Sequence, residues 1–235
     1  MLNLKDMMVE YSSEDVKIRA YLVGEQGGVM RPAIIVVQEW WGLNEHIKDV
    51  ARRYAQQGYV VIAPDLYSRF GNTVVPNGNS DEAGRLMSAL KQEDGLKDLK
   101  ATVAYLKTVP EVDAARIGVT GFCMGGSYAL MLACVSRDIK AAVPFYGQVP
   151  SPDAALQNLA APVLYIYGEE DGWITKTDVQ RLAGALKKYN KVGEIKTYPG
   201  APHAFFNDTR TDVFRPAEAQ DAWERSIVFF QKHLG

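Results

Sequence analysis

Short apolar segments alternate along the chain with longer segments in which apolar residues recur every three or four positions. Short continuous apolar runs are typical of buried parallel strands, and the three-to-four spacing is typical of amphipathic helices. The pattern predicts strands over residues 17–22, 33–37, 60–63, 116–120, 141–145, 163–167 and 194–198. Strands that alternate with helices predict an α/β fold, with a mostly parallel central sheet of about seven or eight strands and helices on both faces. The first predicted strand alternates apolar with polar residues, so we expect it at an edge of the sheet.

The helical segments also carry end signals. In the first of them Ile47, Val50, Ala51 and Tyr54 share one face, Asn44 stands where a cap is expected, and Gly58 where the helix should end. Further helices are predicted around residues 96–106, 179–186 and 219–230. Residues 70–79 are rich in Gly, Asn and Pro and have no periodicity, so they predict an exposed loop.

Length and composition favour a single domain. The chain has 235 residues, of which 47% are hydrophobic and 23% are charged. This supplies enough apolar material for one large core, and single α/β sheets reach about 200–250 residues. No change in composition and no internal repeat divides the chain, so we expect one domain over residues 1–235.

Charge argues against nucleic-acid and membrane partners. There are 26 basic and 28 acidic residues, a formal net charge of −2, and the basic residues form no cluster that would follow a phosphate backbone. Charged residues occur throughout the first thirty positions, and no apolar run there is long enough for a signal peptide or a membrane span. We therefore expect a cytoplasmic protein, a monomer or small homo-oligomer, whose partner is a small-molecule substrate.

Metal-ligating residues are scarce. The two cysteines and three histidines include no pair at ligand spacing, so the sequence predicts no metal site. The first buried strand is followed by Gln38 and Glu39 rather than by a Gly-x-Gly-x-x-Gly stretch, which argues against a nucleotide-binding oxidoreductase. We expect no cofactor.

A glycine-flanked cysteine provides the candidate nucleophile. Cys123 has Gly121 two residues before it and Gly125 two residues after it, between a predicted strand and an apolar helical segment. A sharp strand-to-helix turn leaves little room for side chains at those flanking positions, and it holds the central side chain outward. The helix N-terminus favours a thiolate, and the N–H of Met124 can face a developing oxyanion. The alternative is that Cys123 is a small buried apolar residue, which is how we interpret Cys134.

A candidate base and its orienting acid follow in the expected order. Hydrolases with this kind of turn place nucleophile, acid and histidine in that order, each after a later strand. Asp171 lies in an acidic turn after the strand at 163–167, and His203 follows the strand at 194–198. Glu169 and Glu170 remain alternatives to Asp171. His46 and His233 lie in predicted helices and are weaker candidates for the base.

These features together resemble the dienelactone hydrolase family, the cysteine branch of the α/β-hydrolase fold. The shared stretches are Gln38-Glu39-Trp40-Trp41-Gly42, Pro64-Asp65-Leu66-Tyr67, residues 121–126, 168–171 and 200–203. The resemblance implies that Glu39 lies beside the thiol and controls its protonation until substrate displaces it. It also implies that the backbone N–H of Trp40 joins that of Met124 in the oxyanion hole.

The chain departs from the family where the dienelactone carboxylate is bound. In place of the two arginines that hold this group, the chain has Ser80 and Asn207. Each lost arginine contact removes about 1.5–3 kcal/mol, so we expect no strong preference for anionic substrates. Arg69 matches the family pattern and is a candidate for binding an anionic group. Trp41, Tyr146 and Phe205, with Trp40 and Phe145, either line an aromatic substrate pocket or belong to the core.

The function predicted from the sequence is hydrolysis of a small carboxylic ester or lactone. Cys123 would form a thioester, and His203, oriented by Asp171, would activate the water that cleaves it. A thioesterase or cysteine peptidase using the same residues remains open, because acyl transfer is common to all of them. A catalytically silent binding module is the third alternative.

Overall fold

One eight-stranded sheet runs through the computed structural model, which describes residues 3–25 and 27–235. The strand order is β1-β2-β4-β3-β5-β6-β7-β8. Strand β2 pairs antiparallel with β1 and β4, and the remaining neighbours are parallel. The strands are β1 Leu4–Ser13, β2 Val16–Glu25, β3 Arg31–Val37, β4 Val60–Pro64, β5 Val112–Phe122, β6 Ile139–Phe145, β7 Val163–Glu170 and β8 Gly193–Pro202.

Six α-helices in the described ranges connect and cover these strands. They are α1 Glu45–Gln56, α2 Ser80–Ala89, α3 Gln92–Leu106, α4 Met124–Val135, α5 Lys176–Lys188 and α6 Pro216–Leu234. Helices α1 and α6 meet through Tyr54, whose ring lies 4.5 Å from that of Trp223 and 5.8 Å from that of Phe230. The α/β class predicted from the sequence is confirmed.

Local signals gave the right ends for the first helix. The Asn44 side chain accepts a hydrogen bond from the backbone N–H of Ile47 at 3.1 Å, and Gly58 follows the helix with φ of +95°. The region 71–79 contains no helix or strand, as its composition predicts. None of the helices within the described ranges is long and apolar enough to cross a membrane.

The sequence pattern did not predict two elements, strand β1 and helix α2. Strand β1 is the true edge, so the first predicted strand, which is β2, lies inside the sheet and its assignment to the edge was wrong. The cause is that most β1 residues are exposed, the apolar Met7 and Met8 among them, and Tyr11 is its only buried apolar residue. Helix α2 was also missed, because it buries only Ala83 and Leu86.

The parallel strands bring distant loops to one end of the sheet. Strands β3, β5, β6, β7 and β8 are consecutive neighbours and run in the same direction. Their carboxyl ends therefore lie along one edge, where ligands bind in open α/β sheets. Glu39, Cys123, Asp171 and His203 follow or end four of these strands.

Candidate active site

Cys123 occupies a strained backbone conformation between β5 and α4. Its φ is +57° and its ψ is −119°, a region that residues with a side chain rarely adopt. The turn is held by hydrogen bonds from Cys123 N to Phe145 O at 3.1 Å and from Ser127 N to Cys123 O at 3.2 Å. The backbone thus fixes the direction in which the sulfur projects.

The flanking glycines are required by close backbone contact. A Cβ atom at Gly121 would overlap the carbonyl of Gly125, and one at Gly125 would overlap that of Val37. A Cβ at Gly126 would overlap the carbonyl of Phe145 in the neighbouring strand. The spacing observed in the sequence therefore reflects how tightly this turn packs against β3 and β6.

The first turn of α4 presents unpaired backbone donors. Met124 is the first residue of this helix, so its N–H has no acceptor within the helix. The helix dipole also favours negative charge at this end. Trp40, the other predicted contributor of a backbone N–H, lies in the loop after β3 and shares a cavity with Cys123. Its carbonyl accepts a hydrogen bond from Tyr67 Oη at 2.9 Å.

Asp171 contacts His203. Imidazole Nδ1 lies 2.7 Å from Asp171 Oδ2, and the other carboxylate oxygen accepts hydrogen bonds from Trp173 N at 2.7 Å and Ile174 N at 2.8 Å. The Asp171 side chain is fully buried. A carboxylate held at both oxygens fixes the ring through Nδ1, and Nε2 is the ring nitrogen that does not contact Asp171.

The second imidazole nitrogen and the sulfur belong to the same site. His203 Nε2 is buried without a hydrogen-bond partner in the described part of the chain, and both His203 and Cys123 line one cavity. Burial lowers the pKa of His203, but the hydrogen bond to Asp171 and the neighbouring Cys123 sulfur raise it by more, to about 10. The environment therefore favours a protonated imidazole.

The alternative residues lie elsewhere. Glu169 is paired with Lys176, Nζ to Oε2 at 3.7 Å, and Glu170 is exposed. His46 and His233 lie in α1 and α6, as the sequence indicates. Of the three candidate carboxylates, Asp171 is the one that contacts His203.

Glu39 is buried and accepts a hydrogen bond from an amide. Its Oε2 accepts a hydrogen bond from Asn207 Nδ2 at 2.7 Å, and it lines the same cavity as Cys123. The amide is fixed in turn, because Asn207 Oδ1 accepts from Thr209 N at 3.0 Å and Thr209 Oγ1 at 2.7 Å. Asn207 is therefore engaged with Glu39 and is fully buried.

The cavity has a volume of about 250 Å³. Its lining residues are Glu39, Trp40, Trp41, Met87, Cys123, Trp173, His203, Ala204 and Arg210. Sequence reasoning missed Met87, Trp173, Ala204 and Arg210. Trp173 follows Asp171 by two residues, and its ring lies 5.3 Å from that of His203. Its nearness to Asp171 along the chain was the one available signal.

Three predicted substrate contacts do not line the cavity. Arg69 forms a two-point ion pair with Asp98, at 2.9 and 2.7 Å. Tyr146 is fully buried with its ring 5.0 Å from that of His203, and Phe205 packs behind it, 5.7 Å away. Of the four residues predicted to contact substrate, the structure brings Trp41 to the cavity.

Cys134 has the surroundings of a core residue. It lies near the end of α4, and burial raises the pKa of its thiol to about 12. Such a thiol is almost entirely protonated at neutral pH and a poor nucleophile.

Sequence and structure comparisons point to one family. The model of the dienelactone hydrolase family matches residues 18–234. The chain is 36% identical over 237 residues to “Protein usf” of Aquifex pyrophilus, covering 97% of this chain and 98% of that protein. It is 35% identical over 234 residues to a protein of Methylorubrum extorquens named “Putative carboxymethylenebutenolidase”, covering 96% and 80% respectively.

A solved structure agrees with these matches. The crystal structure titled “Putative Dienelactone Hydrolase from Klebsiella pneumoniae subsp. pneumoniae MGH 78578” has a TM-score of 0.87 and 31% sequence identity to this chain. The superposition covers 98% of this chain and 99% of that chain. With its eight-stranded sheet and a family match over most of its length, the chain belongs to the dienelactone hydrolase family and is a hydrolase of the α/β type.

Proposed function

We propose that the protein hydrolyses small carboxylic esters or lactones, with Cys123 as nucleophile, His203 as the proton-transfer residue and Asp171 as its orienting acid. One observation carries the proposal: a cysteine at positive φ shares a cavity with a histidine whose Nδ1 is held by a buried carboxylate. A nucleophile, a base and an orienting group in contact are the signature of covalent acyl transfer.

The reaction proceeds in two steps. The Cys123 sulfur attacks the carbonyl carbon, and the developing oxyanion is stabilised by the N–H groups of Met124 and Trp40. The leaving alkoxide takes a proton from His203 Nε2, and a thioester remains on Cys123. His203 then accepts a proton from the attacking water, and cleavage of the thioester releases the carboxylic acid and leaves Cys123 as a thiolate with His203 protonated again.

Glu39 acts on the protonation of the nucleophile. Its carboxylate is buried in the same cavity, and its recorded hydrogen bond comes from the neutral amide of Asn207. A carboxylate that shares a cavity with the thiol can accept the thiol proton. We infer that Glu39 exchanges this proton with Cys123 when substrate enters.

Short p-nitrophenyl esters provide the direct test. We expect Cys123→Ala to abolish their turnover, and Cys134→Ala, a matched change in the core of the next helix, to leave it near wild type. Rapid acid quenching followed by mass spectrometry of the wild-type enzyme should find the acyl group on the peptide that contains Cys123. Equal activity in the two variants, or an acyl group on another residue, contradicts the proposal.

A further inference from the structure

Two further cavities continue from the cavity that contains Cys123. The nearer has a volume of about 380 Å³ and the farther about 610 Å³. Trp173 lines all three cavities, and Met87 lines the Cys123 cavity and the nearer one. The two further cavities share three lining residues, which are Gln92, Ser127 and Gln148. Because they share walls in this way, they form one groove that begins beside the sulfur, which we call the α4 groove.

One face of helix α4 forms a side of this groove. Met124, Ser127 and Tyr128 line the nearer cavity, and Ser127 and Met131 line the farther one. These four positions are spaced by three and four residues, so they lie on the same face of the helix. The seven residues from the first to the last rise about 10 Å along the axis. The groove therefore leads away from Cys123 along α4, far enough to hold an extended group.

The loop after β6 forms another wall, and hydrogen bonds hold it in place. Gln148 N donates to Ser127 Oγ at 2.8 Å, which ties the loop to α4. Arg181 of α5 donates through Nη2 to Val149 O at 3.2 Å and through Nη1 to Pro150 O. Two helices thus fix this wall, so the groove does not need to form when a ligand binds.

The charges that face the α4 groove are already paired. Of the described residues, Asp178 and Arg181 are the only charged ones that line it. Arg181 Nη2 donates to Asp178 Oδ1 at 2.8 Å, and Asp178 Oδ2 accepts from Thr175 N at 2.9 Å. Because each charge has its partner, a charged ligand would lose hydration in the groove without gaining an unpaired ion of opposite sign. An uncharged group does not have this disadvantage.

Apolar side chains predominate where the groove leaves the Cys123 cavity. Met87 and Trp173 line both cavities at this junction, and the buried Tyr128 lies farther along. Such surface binds alkyl or aromatic groups because the contact removes apolar area from water.

We propose that the α4 groove binds an uncharged, apolar arm of the substrate, so that the ester or lactone reacts in the Cys123 cavity while the rest of the molecule lies along α4. This inference rests on the proposed function and names the kind of substrate that the site prefers. The Cys123 cavity, at about 250 Å³, holds the reacting group, and each of the two further cavities is larger. The preferred substrate is therefore longer than the Cys123 cavity alone would accept.

Two series of esters test the inference. p-Nitrophenyl acetate, butyrate and hexanoate lengthen the acyl side, and ethyl, butyl and hexyl acetate lengthen the alcohol side. In the wild-type enzyme we expect kcat/KM to rise about 10- to 100-fold from the shortest to the longest ester of at least one series. The physical reason is that burial of one methylene group strengthens binding by up to about fourfold. The series that rises identifies the side of the substrate that carries the arm.

Tryptophan substitutions that narrow the groove link this rise to α4. Gln148 is exposed and lines both parts of the groove, so Gln148→Trp should obstruct it without disturbing the core. We expect the ratio of kcat/KM for the longest ester to that for the shortest to fall about tenfold. Gln92→Trp narrows the groove from α3 and provides an independent second variant. Gln231→Trp changes an exposed glutamine on α6 that lines none of the three cavities, and it should keep the wild-type ratio.

The outcomes separate the inference from the function on which it rests. Cys123-dependent turnover of p-nitrophenyl acetate supports the proposed function whatever the chain-length dependence is. A wild-type kcat/KM that does not rise with length in either series overturns the role of the α4 groove alone, and so does a rise that is equally large in both groove variants. Absence of turnover of every ester by the wild-type enzyme overturns both.

Discussion

At the scale of single residues, the site depends on one carboxylate that holds an imidazole. Asp171 contacts His203 through one oxygen and two backbone N–H groups through the other. Glu169 and Glu170, adjacent in the chain, do neither. Position in the turn, rather than acidity alone, decides which of the three carboxylates contacts His203.

Replacing this carboxylate should remove most of the activity. In Asp171→Asn the amide oxygen can still accept from Trp173 and Ile174, but the NH₂ group then faces His203 Nδ1 and reverses the ring's protonation pattern. We expect kcat on p-nitrophenyl acetate to fall about 10²- to 10⁴-fold, by analogy with the same change in the serine triad. Glu170→Gln is the control and should stay near wild type. Equal kcat in the two variants would exclude Asp171 from the mechanism.

The raised pKa of His203 should appear in the pH dependence of stability. The folded pKa of about 10 exceeds the ordinary histidine pKa of 6.5, so protonation of the ring stabilises the folded state. This contribution is fully present below pH 6.5 and is lost as pH rises towards 10. Urea unfolding at pH 6, 8 and 10 should show the stability advantage of wild type over His203→Gln shrinking with pH. A constant difference would show that the His203 pKa is not raised.

At the scale of elements, the sequence predicts the strands and helices that bury a regular apolar pattern and misses those that bury few side chains. Strands β3 to β7 bury continuous apolar runs, and α1 carries a regular apolar face with a cap, so these elements were predictable. Strand β1 and helix α2 bury few side chains and gave no pattern. Because α2 was not predicted, Met87 on this helix was not identified as a residue that lines the cavity.

Glycine substitutions distinguish a turn that requires glycine from a helix that tolerates it. A Cβ at Gly125 would overlap the backbone of β3, whereas one at Gly184 in α5 meets nothing within 4 Å. We expect Gly125→Ala to destabilise the protein by several kcal/mol or to prevent folding. Gly184→Ala should stabilise it by about 0.5–1 kcal/mol. Urea unfolding measures both, and equal stability of the two variants would mean that the turn relaxes to accept a side chain.

At the scale of the whole molecule, the order of the catalytic candidates was predictable but the walls of the cavity were not. Cys123, Asp171 and His203 each follow a strand, and the parallel sheet brings such positions together. Met87, Trp173 and Arg210 come from three separate segments whose meeting depends on long-range packing. Arg69 was predicted to bind substrate because it matches the family pattern, but its guanidinium forms an ion pair with Asp98 on α3.

Arg69 should therefore matter for stability more than for substrate binding. Its guanidinium joins the short 3₁₀ turn after β4 to the fully buried Asp98 of α3. Arg69→Met leaves that carboxylate without its cation, which should cost about 3–5 kcal/mol of unfolding free energy, and Arg69→Met/Asp98→Leu should recover much of it. KM for short p-nitrophenyl esters should stay within twofold of wild type in the double variant. A raised KM, with stability unchanged in Arg69→Met, would instead place Arg69 at the substrate.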